Sequence, residues 1–438
     1  MKIRKFLFRL VLLALLIYVL WAGWQVVRFH RYESPAPALS TAASSGPSLY
    51  EVEGAYHMHS RYSDGRKTVD QIAKVAAGAG LDFIVLTDHG RPNFAALDAQ
   101  GKKEGVLVLA GSEISSNRGH LVALGFDRPD NSFSFSSDAE IAAREISERG
   151  GFSVVAHPYS KIRWSWGDIF DYSGLEIIDA DSMIKSHIVR SLPYYPLLLI
   201  KPTLALLKMI VPPDQTLRKW DQLLARGPAN GYFSADAHLL YSAIFPVFHL
   251  HVLLDRPPDA DFAAARRQIF DALKSGRFYS AVDGAAAARG FRTSLEGGSL
   301  RVSAPFSFAH ETVIIHDGKA ILRINSWDKA PWKEGRERSD RWEETPTKGF
   351  LPRVTRRTSE NELIVPLSAP GAYRVEVYLR ERTPLNPGVP WIISNPVYVK
   401  GRAFGSPLAR GLYPRASTAE VDPRAKPGAP AAVERNNR

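Results

Sequence analysis

The sequence of 438 residues predicts an α/β protein of the (β/α)-barrel type, with a membrane-spanning helix before the barrel and a β-sandwich-like domain after it. From Glu51 to about Gly284, strand-like apolar runs alternate with helical ones, the pattern of a mostly parallel sheet. Several of those strands stop at His, Asp or Glu, where such a barrel assembles its active site. After Gly284 the helices give way to short strands separated by Gly, Pro and Asn turns.

At the N-terminus, Lys2, Arg4, Lys5 and Arg9 precede an uncharged run from Leu10 to Val27, and Arg28 and Arg31 follow it. Trp21 and Trp24 lie near its outer end, as interfacial anchors do. Residues 1–31 therefore read as a cytoplasmic stub and single signal-anchor helix, with the rest of the chain outside the cytoplasm, periplasmic or extracellular. A cleaved signal peptide is the competing reading, because small residues between Ala36 and Ser45 could hold a cleavage site. Residues 32–50, rich in Pro, Ala and Ser, read as a flexible stalk.

The barrel domain is expected over residues 51–285. Thr68 can cap the helix VDQIAKVAAGAG, which leads into the strand DFIVLT and stops at Asp88-His89. The helix DAEIAAREISER passes through Gly150-Gly151 into FSVVA, which delivers His157-Pro158. LEIID follows Gly174, and TLRKWDQLLARG precedes YFSADAH. Residues 183–213 interrupt the cycle with an apolar segment broken by Pro193, Pro196 and Pro202. An inserted helical pair over the barrel mouth is the first reading, and contact with a membrane surface the alternative. A β-rich domain follows over residues 286–402, and residues 403–438 read as a disordered tail.

Composition narrows the chemistry. The chain has no cysteine, which excludes disulfides, thiolate nucleophiles and Cys-based zinc sites, so a metal site must be built from His and carboxylates. A formal charge of +11 favours anionic surroundings such as lipid surfaces, nucleic acid or phosphorylated substrates.

His57 and His59 stand two apart in AYHMHS, so on a strand both imidazoles leave one face. His249 and His251 in FHLHVLL have the same spacing with no carboxylate nearby in sequence, and read as structural. The first pair differs in its company: Asp64, His89, Glu113, His120, His157, Asp236 and His238 mostly sit at strand ends or adjoining turns. Imidazoles with carboxylates suit Zn, Mn or Fe, and a Glu can bridge two ions.

In order, HMHS-x4-DG, LTDHG, GSEIS, GH, AHP and SADAH resemble the motifs of the PHP (polymerase and histidinol phosphatase) superfamily, over roughly residues 55 to 240. The resemblance implies a distorted (β/α)7-type PHP barrel holding two or three divalent ions. It implies that His57, His59, Glu113 and Asp236 hold one metal, that Glu113 bridges to a second held by His120 and His157, and that Asp64, His89 and His238 hold a third. Many relatives have His where this chain has Asp64, which keeps a ligand but hardens it. The run GAYRVEVY followed by PWIISNPVYVKG is similar to the β-rich extension of exported PHP proteins; His310 and His316 in that region read as structural.

The expected activity is metal-dependent hydrolysis of a phosphoester through a metal-bridging hydroxide, as a phosphatase or a 5′–3′ exonuclease-like enzyme. Carbamate or carboxylic ester hydrolysis on the same site is the alternative, and a non-catalytic envelope-binding module is a third reading. Asp88 could orient the neighbouring imidazole or hold a turn. Of Arg61, Arg66, Arg91, Lys161 and Arg163, only Arg163 is put forward to grip substrate, flanked by Tyr159, Trp164 and Trp166 that could stack on a base or pack in the core. The expected partners are a small phosphorylated substrate or an oligonucleotide end and the membrane, with no stable protein partner.

Overall fold

The computed structural model describes residues 2–31, 49–167, 172–306, 309–326, 356–359, 362–367, 369–380 and 383–399. Nearly all of the expected stalk, and the expected tail, lie outside the described residues.

Helix Lys2–Arg31 opens the chain, and its segment Ile3–Phe29, 27 residues, is long and apolar enough to cross a membrane. The strands that follow close on one another around the site. Tyr50–Met58, Phe83–Leu86 and Val106–Ala110 run parallel side by side. The third strand kinks at Gly111, where a β-carbon would collide with the carbonyl oxygen of Ala123, and continues as Ser112–Ser116. That continuation pairs with Gly119–Leu124, the one antiparallel member, followed by Phe152–Val155, Gly174–Asp179 and Asn230–Ser234. The end of the last strand returns to the first: Ala235 N–H donates to Tyr56 O at 3.0 Å and His59 N–H to Ala237 O at 3.0 Å.

The closure is incomplete. The outer edge of Tyr50–Met58 is shared, because its first half pairs antiparallel with Phe248–Leu254. The helices expected from capping signals form on the outside. Thr68 caps Val69–Gly78 in a reciprocal box with Gln71, and Asp138 caps Ala139–Glu148. Helix Asp214–Leu224 packs Trp220 into the core. The 183–213 segment is a run of short helices (Ala180–Ser186, Ile188–Ser191, Leu192–Leu199, Pro202–Met209) instead of one helical pair: the first break falls at His187, and from Leu192 onward Pro193, Pro196 and Pro202 shorten the pieces.

The region after residue 285 does not stand apart from the barrel. Phe278–Val282 pairs with Ile392–Ser394, which pairs with Gly371–Leu379, so one sheet runs from the barrel into the C-terminal region. A second sheet of four strands covers it. The join is held by specific groups: Trp391 Nε1 donates to Ala286 O at 2.8 Å, and Asn395 accepts from Gly231 N–H at 2.8 Å while donating to Phe278 O at 3.1 Å. Arg374 pairs with Asp221 and lies 4.9 Å from the Trp220 ring.

His249 and His251 belong to this join, and their surroundings correct the sequence reading that left them without carboxylates. Glu53 lies 2.6 Å from His249 Nδ1, while Glu51 and Asp283 each lie 2.8 Å from a nitrogen of His251. Arg289 and Arg292 close the network on Glu53 and Glu51. The partners are remote in sequence, which is why the local pattern hid them. Burial works against charged imidazoles here, but Asp283 and Glu53 hold His249 up to about 10, and Asp283 and Glu51 hold His251 up to about 9.

Both histidines are raised above an unfolded value of roughly 6.5, so their contribution is complete below that pH and is lost as the pH rises through 9 to 10. Thermal unfolding of the full chain is expected to fall to lower temperature across that interval, and a His249→Ala/His251→Ala double variant to show a smaller fall than the parent. His251→Ala alone, leaving Glu51 and Asp283 buried without it, is expected to cost about 3–5 kcal/mol in denaturant titrations.

Candidate metal centre

Each candidate ligand is delivered by a strand end or the turn beyond it. His57 and His59 come from the end of the first strand, where its register shifts between Tyr56 and Met58. His157 and Asp236 follow the Phe152–Val155 and Asn230–Ser234 strands, and His89 makes a bridge to Glu113. His57, His157 and Asp236 all have positive φ, at 67°, 25° and 42°. Left-handed backbone at a residue other than glycine costs about 1–3 kcal/mol and persists only where the surrounding structure enforces it. Here it turns three side chains inward.

Glu113 is the hub. Its Oε1 lies 2.7 Å from His120 Nδ1 and 2.9 Å from His157 Nε2. Its Oε2 lies 3.3 Å from His57 Nε2, 3.2 Å from His59 Nε2 and 3.4 Å from His89 Nδ1. Asp236 Oδ1 approaches His57 and His59 at 3.4 and 3.3 Å. Asp64 faces His238 at 3.3 Å, His59 at 3.5 Å and His89 at 3.8 Å. Three groups of donors emerge, each lying within 4.8 Å of one another: His57, His59, Glu113 and Asp236; Glu113, His120 and His157; and His59, Asp64, His89 and His238. The nine expected residues are therefore all brought together, with His59 also facing the third group.

The site grades from closed to open. His57, His59 and Glu113 are buried, whereas Asp64 is 55% exposed. Gly65 lets the Asp64 turn fold against the strand, since a β-carbon there would strike His59 O.

The donor chemistry fits divalent ions. His59 Nε2, His89 Nδ1, His120 Nδ1 and Asp236 Oδ1 are buried without a hydrogen-bond partner although carboxylate or imidazole atoms crowd them. Such orphaned atoms are costly unless something else satisfies them. Burial disfavours charged imidazoles, yet Asp236 and Glu113 hold His59 up to about 9 and Glu113 holds His157 up to about 10. The carboxylates demand positive charge at this point, and a cation supplies it with the imidazoles neutral.

Two residues escaped the sequence reading. Glu176 accepts from His57 Nδ1 at 2.6 Å and from the His157 N–H at 2.7 Å, fixing one ring and the backbone of another candidate ligand. Asp179 lies in the same carboxylate layer beneath His57. The available signal was an acidic residue in the middle of the apolar strand LEIID. Asp88 takes the second of its two expected roles: it accepts from Ser60 N–H, Ser60 Oγ and Ser63 Oγ at 2.7, 2.8 and 2.7 Å, fastening the turn between His59 and Asp64. Among the described contacts it makes none with the adjacent His89 ring, but the Ser63 hydroxyl that it accepts from lies 3.3 Å from His59 Nδ1. Arg163 is exposed beyond His157, and Trp164 is buried in the core, where it packs as a structural aromatic.

His59→Ala or Asp236→Ala is expected to reduce metal content measured by mass spectrometry with circular dichroism unchanged. Global unfolding of these variants would make the ions structural. Glu176→Ala is expected to weaken metal binding by about 10- to 100-fold by calorimetry, because it frees the distal nitrogen of His57.

A family model described as the PHP domain matches residues 55–180. An uncharacterized protein of Methanocaldococcus jannaschii is 32% identical over 139 residues, 28% of this chain and 80% of that protein. Among solved structures, similarity extends to a two-domain protein from Bacteroides vulgatus containing a predicted PHP-like metal-dependent phosphoesterase. That structure is 13% identical, covers 80% of this chain and 96% of its own, and has a TM-score of 0.37. An amidohydrolase from Chromobacterium violaceum with bound sulfate and no metal is 16% identical, covers 47% and 92%, and has a TM-score of 0.28. The motifs that gather around Glu113 thus lie for the most part within the matched domain, and the chain belongs to the PHP family.

Proposed function

We propose that the protein is a membrane-anchored hydrolase of phosphate-type esters that works with two or three divalent ions. The carrying observation is the placement of Glu113, with one carboxylate oxygen toward His120 and His157 and the other toward His57, His59 and His89. Bound at these donors, Zn, Mn or Fe would supply an activated water and positive charge for phosphoryl oxygens.

The protein's own groups set the rest. Glu113 and Asp236 would hold the ions from the buried side, and Glu176 fixes the orientation of the His57 ring. Asp88 holds the turn that carries Asp64, so the exposed corner formed by Asp64, His89 and His238 is fixed in place while remaining open to solvent. Substrate enters at that corner. Arg163, exposed on the loop beyond His157, is one cation offered to an approaching anion. The helix Ile3–Phe29 anchors the enzyme, with Lys2, Arg4, Lys5 and Arg9 on the cytoplasmic side and the catalytic domain outside the cytoplasm.

The test is a panel of aryl phosphates, bis-aryl phosphates, oligonucleotides and aryl carbamates with added Mn or Zn. Phosphate-ester turnover that disappears in Asp236→Ala is expected. Carbamate or carboxylic ester turnover alone would move the chemistry from phosphorus to carbon, and absence of both metal binding and turnover would leave a binding module. Cleavage of the catalytic domain by protease added to cells stripped of their outer layers, with the cytoplasmic membrane intact, is the expected topology result.

A further inference from the structure

The 183–213 insertion exposes an unusual amount of apolar surface. Ile188, Val189, Leu192, Leu199 and Ile200 are all exposed, Val189 to 83% and Leu199 to 91%. A surface of this kind marks a contact with a partner or a lipid phase.

The insertion also touches the N-terminal helix inside its apolar span. Tyr18 Oη donates to Pro193 O at 3.0 Å, the Trp21 and Tyr194 rings lie 5.5 Å apart, and Ala22 packs with Leu197 and Ala205. At a rise of 1.5 Å per residue, Tyr18 lies about 16 Å along the helix from Phe29, the outer end of the span. A bilayer that covers the helix from Ile3 to Phe29 necessarily covers whatever packs on Tyr18. Nearer the outer end, Arg28 and Lys208 flank a cleft between the helix and the insertion. Neither has an acidic partner among the described residues, which suits the headgroup level of a membrane.

The insertion begins beside the metal centre. Its first helix, Ala180–Ser186, follows Asp179 directly, and helix Pro202–Met209 packs on Tyr241–Ile244, whose Tyr241 bonds to the carbonyls of His59 and His238. The rim of the site is itself apolar in places, with Tyr62, Ile162, Leu239 and Leu240 exposed in turns next to candidate ligands.

The geometry points to the 188–200 segment as a membrane-inserted platform beside the anchor helix, which sets the open side of the metal centre at the bilayer surface and selects amphiphilic phosphate esters held in that bilayer. This rests on the anchored-hydrolase reading above. Water-soluble esters then reach the same ions without using the platform.

Because the chain lacks cysteine, single spin labels can be placed in the full-length protein in lipid nanodiscs at Val189→Cys, Leu199→Cys, Leu16→Cys in the helix and Glu148→Cys on an outer barrel helix. Labels at 189 and 199 are expected to respond to oxygen over a water-soluble nickel chelate, like the label at 16 and unlike the label at 148. Chelate access at 189 and 199 with lipid contact at 16 overturns the platform and keeps the anchor; chelate access at all four overturns both. In vesicles, a Leu199→Glu/Ile200→Glu variant is expected to raise KM for a long-chain alkyl aryl phosphate about tenfold or more, with soluble aryl phosphate turnover unchanged. Equal effects on both esters would overturn the substrate class. Absence of turnover on either ester would overturn the hydrolase reading and the substrate class with it, while the label positions would still decide the platform.

Discussion

The structure is organised around a carboxylate that has no water to solvate it. Glu113 is buried among His57, His59, His89, His120 and His157, with Asp236 facing His57 and His59 and with Glu176 and Asp179 behind His57. Removing so much charge from water costs several kcal/mol per ion unless each group is matched at close range. Matching requires side chains from seven separate strand ends or turns to converge on one point, and much of the local irregularity serves that convergence. The kink at Gly111 aims Glu113, and positive φ at His57, His157 and Asp236 aims three more groups.

Such strain needs a rigid frame, and the ring of strands alone does not supply all of it. The first strand meets the last only at its C-terminal end, beside the ligands, because the rest of its edge is taken by Phe248–Leu254. The C-terminal region closes the deficit: its strands extend the same sheet, Asn395 and Arg374 bond to Gly231 and Asp221 of the barrel, and Trp391 bonds to Ala286 at the junction. The first strand therefore carries two polar networks, Glu51 and Glu53 with His249 and His251 at one end and His57 and His59 with Glu113 at the other. Anchoring the first end fixes the register of the strand that positions the second.

What could be read from the sequence was whatever is local in the chain. His57, His59, Asp64, His89, Glu113, His120, His157, Asp236 and His238 announce themselves because each belongs to a short motif at a strand end, and the caps Thr68 and Asp138 act within one helical turn. The groups that were missed act across long separations. Glu176 resembles any acidic residue until the fold lays it beneath His57, and His249 looks isolated until Glu53 and Asp283 arrive from distant segments. The single sheet joining the barrel to the C-terminal region depends on Tyr279 meeting Ser394, a pairing that alternation patterns cannot specify. Asp88 illustrates a subtler limit: adjacency to His89 suggests a shared task, yet beyond the end of the Phe83–Leu86 strand the two side chains part, and the carboxylate serves the neighbouring turn.

Asp179 ties the buried chemistry to the outer segment. Burial, with Asp236 and Glu176 close by, pushes its carboxyl up to about 7. The same side chain accepts from the Ser182 N–H at 2.7 Å as the N-cap of the insertion's first helix, and from Ser234 Oγ at 2.8 Å. One carboxyl group is thus both the last member of the charged layer under the ligands and the first fixed point of the segment that leaves the barrel. Loops at this end of a (β/α) barrel vary most freely because the frame below them does not depend on their course. Here the loop is rooted in the charged layer itself, so the direction in which it departs is set by the same constraint that gathers the candidate ligands, and an apolar extension grown from that root has its course tied to theirs.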